Sequence, residues 1–202
     1  MAGGNKIQND SQDVSWAQSF FRGGANTTAN SGTKIQGTAG QKDCVRINIA
    51  LVVSESCYAE GLYITETKDC SVGIYCGNAN GTNAAGTKRD VFIDESNRPR
   101  VGSIHCFASG NGTSPVVVVN TNAVDYAIGS IQVGDPAGAR AVQISSAGYG
   151  TIESVEAIDS GTTMTGSFVV TTTTAKGRCS HIKTSLTPST TVFPVLINAI
   201  NL

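Results

Sequence analysis

Leu62-Tyr63-Ile64-Thr65 comes back as Val91-Phe92-Ile93-Asp94, Val117-Val118-Val119-Asn120, Val142-Gln143-Ile144-Ser145, Phe168-Val169-Val170-Thr171 and Val195-Leu196-Ile197-Asn198. The phrase steps along the chain by 29, 26, 25, 26 and 27 residues, each time as three mostly apolar residues closed by Thr, Asp, Asn or Ser. A period in the twenties with one strand phrase per period is the signature of a solenoid, whose repeats bury their apolar faces against each other. A second phrase, offset from the first, centres on Ile47, Ile74, Ile104, Ile131, Val155 and Ile182, spaced by 27, 30, 27, 24 and 27 residues. Two columns of compatible period predict at least two short strands per repeat, with turns of variable length between them.

That arrangement predicts an all-β parallel β-helix of about six coils over residues 44–202. Stacked at the strand spacing of about 4.8 Å, the coils make a column roughly 30 Å tall. Composition agrees: glycine is abundant at 23 and proline scarce at 5, while Val and Thr suit strands and Gly and Asn suit tight turns. Leu62, Ile64, Val91 and Ile93 are expected to point inward. The closing polar residues, Thr65, Asp94, Asn120, Ser145, Thr171 and Asn198, fall where the chain turns, and there they can bond backbone or stack in a ladder.

Residues 1–43 read as an N-terminal arm, cap or attachment segment. Asp10 to Arg22 has residues suited to N-capping followed by Val14, Ala17 and Phe21 at near-helical spacing, which predicts a short helix. The aromatic residues Trp16, Phe20 and Phe21 in it would either cover the open end of the array, which needs a cap, or dock onto a larger assembly.

Strand side chains alternate between faces. In the first column this turns Tyr63, Phe92, Val118, Gln143, Val169 and Leu196 outward, and five of these six are apolar. An apolar strip along a water-facing wall marks an interface. The expectation is therefore a homo-oligomer of closed symmetry built on Tyr63, Phe92, Val118, Val169 and Leu196. In the second column the outward residues are polar. Tyr75, His105, Gln132, Glu156 and Lys183 form a candidate ligand-binding track suited to a glycan, and Glu156 and Lys183 should meet on adjacent coils.

Charge is sparse at 14%, with 14 basic against 15 acidic residues, so the electrostatic footprint of a nucleic-acid binder is missing. No apolar run approaches the roughly 18 residues that span a bilayer. The six cysteines contain no CxxC and read as free structural thiols, with Cys76 and Cys106 stacked as small buried residues. No metal-ligand spacing, phosphate loop or other cofactor motif is present. Glycoside hydrolysis needs two carboxylates across a groove. Glu153 with Glu156 and Asp159, and Asp94 with Glu95, are the nearest pairs; the first pair divides between faces, and the second sits at a turn where Asp bonds backbone. No catalytic residue is assigned. The Asn-Gly-Thr sequences at Asn80 and Asn111 read as turns.

On its coil length, its turns rich in Gly, Asn, Thr and Ser and its two phrase columns, the stretch from Cys44 to Leu202 resembles the right-handed parallel β-helices of bacteriophage tailspikes and tail-fibre-like virion proteins. The resemblance implies a homotrimer that contacts bacterial surface polysaccharide alongside other virion proteins. It also implies a virion location after synthesis in the host cytoplasm, in keeping with an N-terminus that lacks a secretory signal. Two alternatives stand beside it: a capsid or tail decoration or adaptor protein docking through its N-terminal segment, and a polysaccharide depolymerase with a site between subunits.

Overall fold

The computed structural model describes residues 4–23, 31–81, 89–109, 112–120, 122–135, 138–146, 148–158, 169–171, 177–185 and 195–197. Among these residues the regular elements are all strands, and every pairing is parallel. One wall is built from short strands, β1 (Asn5–Gln8), β3 (Thr33–Gln36), β6 (Leu62–Thr65), β9 (Val91–Asp94), β11 (Gly112–Val119), β13 (Gly138–Ile144), β15 (Val169–Thr171) and β17 (Val195–Ile197). The other wall is built from longer strands, β2 (Ser15–Arg22), β5 (Asn48–Glu55), β8 (Ser71–Asn78), β10 (Arg100–Phe107), β12 (Tyr126–Gly134), β14 (Gly150–Ile158) and β16 (Arg178–Ser185). A small ribbon of β4 (Cys44–Val45) and β7 (Thr67–Lys68) joins them on the early coils. The chain is a parallel β-solenoid, with a coil count close to the expected six.

The repeated phrase builds the short wall as the pattern requires. Leu62 pairs with Val91, and Val91 with Val117. Leu62, Ile64, Val91, Ile93, Val117 and Val119 are all fully buried. The register departs from the phrase at one place: Val142 pairs with Val169, not with Phe168. Val169 therefore belongs to the Leu62 column, and Val170 shares the Tyr63 column with Gln143 and Leu196.

The long wall does not alternate strictly. Ile49, Val72, Val101, Ile128 and Ile152 form one buried column, and Val52, Tyr75, Ile104, Ile131 and Val155 form the next. The two columns lie three residues apart, so two consecutive residues point out between them. Pairing is interrupted at Gly73, Gly102 and Gly129 on both partners at once, so the strands stay one-to-one in register through the break. A Cβ at Gly102 would collide with the carbonyl oxygen of Gly73. Two consecutive residues face out across this break, and Tyr75 rather than Ile74 falls in the column of Ile104. Ile74, expected inward, is 45% exposed, whereas Tyr75, expected outward, is completely buried.

Corners are set by residues in the left-handed backbone region. Asp13, Arg46, Asp69, Arg98 and Asp125 have φ of 54, 56, 57, 54 and 53° and stand one per coil just before the long strands. Ser56, Ala79, Ala108 and Asp135 do the same after them, and Glu66 and Glu95 after the short strands. Such φ values are uncommon for residues other than glycine. Their repetition shows that stacking of each corner on the one below it dictates the turn. At the first corner acid and base alternate: Arg46 is bidentate to Asp13 at 2.5 and 2.8 Å, and Arg98 to Asp69 at 2.5 and 2.7 Å.

The N-terminal segment carries no helix over residues 10–22. Ser15–Arg22 is strand β2, paired in register with β5, and β1 pairs with β3 in the short wall. The helical spacing of Val14, Ala17 and Phe21 loses to the unpaired edge of β5, which offers this strand a full row of partners. At this end Ser19 takes the column position that later coils fill with Val52 and Tyr75. Asn5 Nδ2 donates to Ser19 Oγ at 2.8 Å, and Ser19 bonds Thr33 Oγ1 at 2.8 Å. The apolar core thus ends in a layer of satisfied polar groups.

Candidate ligand-binding face

The outer surface of the long wall collects most of the chemistry predicted for the second column. From β8 onward one outward register column reads Cys76, His105, Gln132, Glu156 and Lys183. The last four form an unbroken chain of hydrogen bonds. His105 Nδ1 meets Gln132 Oε1 at 3.1 Å, Gln132 Nε2 donates to Glu156 Oε2 at 3.2 Å, and Lys183 Nζ donates to Glu156 Oε1 at 2.7 Å. The hydrogen bond from Lys183 holds the Glu156 carboxyl below the usual carboxylate range. With Glu156 accepting from both sides, Gln132 must present its oxygen to His105, so the ladder has one consistent sense.

Tyr75 is not part of this track. It is fully buried and its hydroxyl donates to Asp90, with Asn80 Nδ2 3.0 Å from the same carboxylate oxygen. Burial pushes the Asp90 carboxyl up, against the hydrogen bond from Tyr75. Asn80 further binds the Ser54 carbonyl and the Cys57 amide, both at 2.8 Å. It is a buried corner residue, in keeping with its reading as a turn. Cys76 takes the outward place of Tyr75, while Cys106 is buried. The two thiols therefore do not stack: Cys76 pairs with His105 and Cys106 with Gly77. All six cysteines are free.

Beside the ladder Phe107 stands 54% exposed. Its register partner is Gly134, and a Cβ there would lie 2.9 Å from the ring. The bare backbone of the next coil thus seats the aromatic face. His105, Phe107, Gln132, Gly134, Asp135 and Ile158 line an open depression of about 490 Å³. The Ser103, Ser130, Ser154 and His181 track runs parallel to the ladder, in register across its four strands.

The expected apolar strip on the short wall is not exposed. Phe92 is 8% and Val118 2% exposed, and Tyr63 is half-buried. Tyr63 and Phe92 stack at 5.5 Å, with Lys34 over the first ring at 5.0 Å and Arg89 over the second at 4.5 Å. Cations cover the aromatic column that alternation placed in water. The side chains of Val169 and Leu196 lie outside the described residues.

Exposed apolar side chains stand instead on the long wall, Phe20 and Ile74 in its N-terminal half and Phe107 and Ile182 in its C-terminal half. Phe20 is 62% exposed, and Val53 and Cys76 follow it in the column that becomes the ladder. Leu51 and Ile74 hold the column that becomes the serine track. The three attachment aromatics therefore separate. Phe20 faces out, half-buried Trp16 packs on the core beside Ile49, and half-buried Phe21 pairs with Ser54.

Among the acids, Glu153 and Glu156 both lie on the outer face, because two consecutive outward residues, Glu153 and Ser154, stand between buried Ile152 and Val155; Asp159 lies outside the described residues. Asp94 serves its turn, accepting from the Glu95 amide at 2.9 Å and from Asn120 Nδ2 at 2.9 Å. A pairing that inspection of local sequence misses joins Glu95 to Glu66 one coil below. The hydrogen bond with Glu66 raises the Glu95 carboxyl, and Glu66 also accepts from the Gly40 amide at 2.7 Å. No group of three or more His, Cys, Asp or Glu among the described residues is arranged to hold a metal. Comparison of the chain with protein-family models, with curated proteins and with solved structures finds no match.

Proposed function

We propose that the chain is a binding component of a phage particle, spike- or fibre-like, that self-associates and contacts bacterial surface polysaccharide through the C-terminal half of its long wall. The observation that supports this best is the ladder from His105 to Lys183 running beside exposed Phe107. A sugar presents hydroxyls at its rim and C–H groups on its ring face. The ladder supplies donors and acceptors for the first, and Phe107 an aromatic surface for the second. Because the outward groups recur at the strand spacing of about 4.8 Å, a linear polymer lying along the stack meets an equivalent group on each coil. The phage setting draws on the resemblance in coil length and turn composition. Self-association draws on the patch of exposed Phe20 and Ile74 with half-buried Leu51, Val53 and Cys76, taken in place of the short-wall strip as the surface for a second copy.

Titration of the purified protein with capsular and O-antigen polysaccharides tests this reading. Binding is expected, and Phe107→Ala should weaken it with the melting temperature unchanged. Retention of no polysaccharide, or equal binding by the variant, overturns it. A second reading, an adaptor docked through the N-terminal segment, is favoured by the exposure of Phe20 on the first coil. Undiminished incorporation of a Phe20→Ser chain into particles would sink that one.

A further inference from the structure

A second hollow lies at the opposite end of the same strands, where β10, β12, β14 and β16 begin. Arg100, Ala127, Thr151 and Arg178 occupy one outward register column there. Two arginines thus bracket two short side chains, with three strand spacings, about 14 Å, between their backbones. Both line one open depression with Asp125, Tyr126, Tyr149 and Thr151.

Its parts are held in place. Tyr126 is buried and forms the floor, its ring lying against Gly150, where any Cβ would collide with it. Gly177 likewise makes room for the Tyr126 hydroxyl, which a Cβ would approach to 2.8 Å. Arg100 is anchored by a hydrogen bond to the carbonyl of Asp125. Arg178 is exposed and makes no ion pair among the described residues. Tyr149 stands 69% exposed at the rim. Asp125, the acid on this rim, closes the alternating corner ladder and is set against Arg98 one coil below.

The hollow therefore offers two guanidinium groups, a hydroxyl and an exposed phenol ring over an aromatic floor. Guanidinium forks match carboxylate and phosphate oxygens in pairs, and aromatic rings pack on the faces of sugars. From this geometry we infer that the hollow is an anion subsite, which takes the carboxylate or phosphate of an acidic sugar residue between Arg100 and Arg178 while the ring lies against Tyr149. That the ligand is a sugar rests on the polysaccharide reading of this wall; the anion preference rests on the arginines.

The full-length chain is titrated calorimetrically with three probes: oligogalacturonate, its methyl ester with the same rings and no charge, and a glycerol-phosphate oligomer. An acidic probe should bind at least tenfold more tightly than the ester, and the carboxylate and phosphate arms identify which anion is taken. Arg178→Gln should erase that preference without lowering the melting temperature, since the side chain is exposed. Tyr149→Ala should weaken acid and ester together. Equal binding of acid and ester, or a preference that survives Arg178→Gln, overturns the subsite. Neutral glycan binding that depends on Phe107 with no charge preference also overturns it, yet leaves the wall reading standing. A charge preference that Arg178→Gln removes, in binding whose strength Phe107→Ala does not change, supports the subsite and removes the ladder reading.

Discussion

On strands β2, β5 and β8 the outward columns of the long wall hold Gln18, Phe20, Leu51, Val53, Ile74 and Cys76, while on β10, β12, β14 and β16 the same columns hold Ser103, His105, Ser130, Gln132, Ser154, Glu156, His181 and Lys183. The backbone pairing is the same in both halves, and the columns behind them are buried in both, with Ser19 and Tyr75 standing among the Ile and Val. Packing inside the solenoid fixes the inner residues, because each must fill the space above its neighbour. The outer residues answer only to what they meet. The change from mostly apolar to mostly polar residues along one wall is the observation on which the proposal of two surfaces with different partners rests.

The largest effect should come from placing charge in the apolar half. A Phe20→Asp, Ile74→Asp double variant should run as a folded monomer in light scattering where the parent chain is an oligomer. A parent chain that is itself monomeric breaks the comparison. Next comes the residue that local reading assigned to the wrong half. Tyr75→Phe removes a buried donor to Asp90 and should cost about 1–3 kcal/mol in denaturant unfolding, with polysaccharide binding unchanged. Gln132→Ala cuts the ladder in its middle and should weaken polysaccharide binding about tenfold, the size of one or two net hydrogen bonds.

Two carboxyls should respond to pH with opposite sign. Lys183 depresses Glu156, so that pair stabilises the fold above the unfolded carboxylate value of about 4.3 and loses its contribution as pH falls through the lower folded value. Contact with Glu66 raises Glu95, so its contribution is present below the unfolded value and is lost as pH rises through the folded one. Melting curves between acid and neutral pH should show Glu156→Gln losing part of the acid-side fall. Glu95→Gln should lose the opposing trend and gain relative to the parent at neutral pH. The smallest change belongs to Arg98→Ala at the exposed corner, visible as a lower unfolding midpoint at low ionic strength and absent in high salt.

Much of this was legible in single residues of the chain. The spacing of Leu62, Val91, Val117, Val142 and Val195 reports the coil length, because stacked coils repeat one inward position. Glu156 and Lys183 could be paired before any coordinates, since equal phase on adjacent coils places them side by side. Asp13, Arg46, Asp69, Arg98 and Asp125 alternate in sign with the same period, a signal open to anyone searching polar residues for the solenoid repeat. The Glu66–Glu95 contact could be found in the same way. Tyr75 and Ile74 were not legible, because the apolar phrase aligns Ile74 with Ile104, whereas the register pairs Ile104 with Tyr75 and Ile74 with Ser103. Nor was the cover over Phe92, which comes from Arg89, a cation that local pattern would leave in water.

Periodicity by itself determined the all-β class, the stacking of coils and the two inner columns of the short wall, because a repeat that cannot bury its own apolar face specifies its neighbour. Which residues face the solvent on the long wall, which acids meet and where the apolar surface lies were decided only by tertiary structure. They depend on the register between coils and on the break in alternation within each long strand, and both are set by packing against the coil below, a partner about a full period away in the chain.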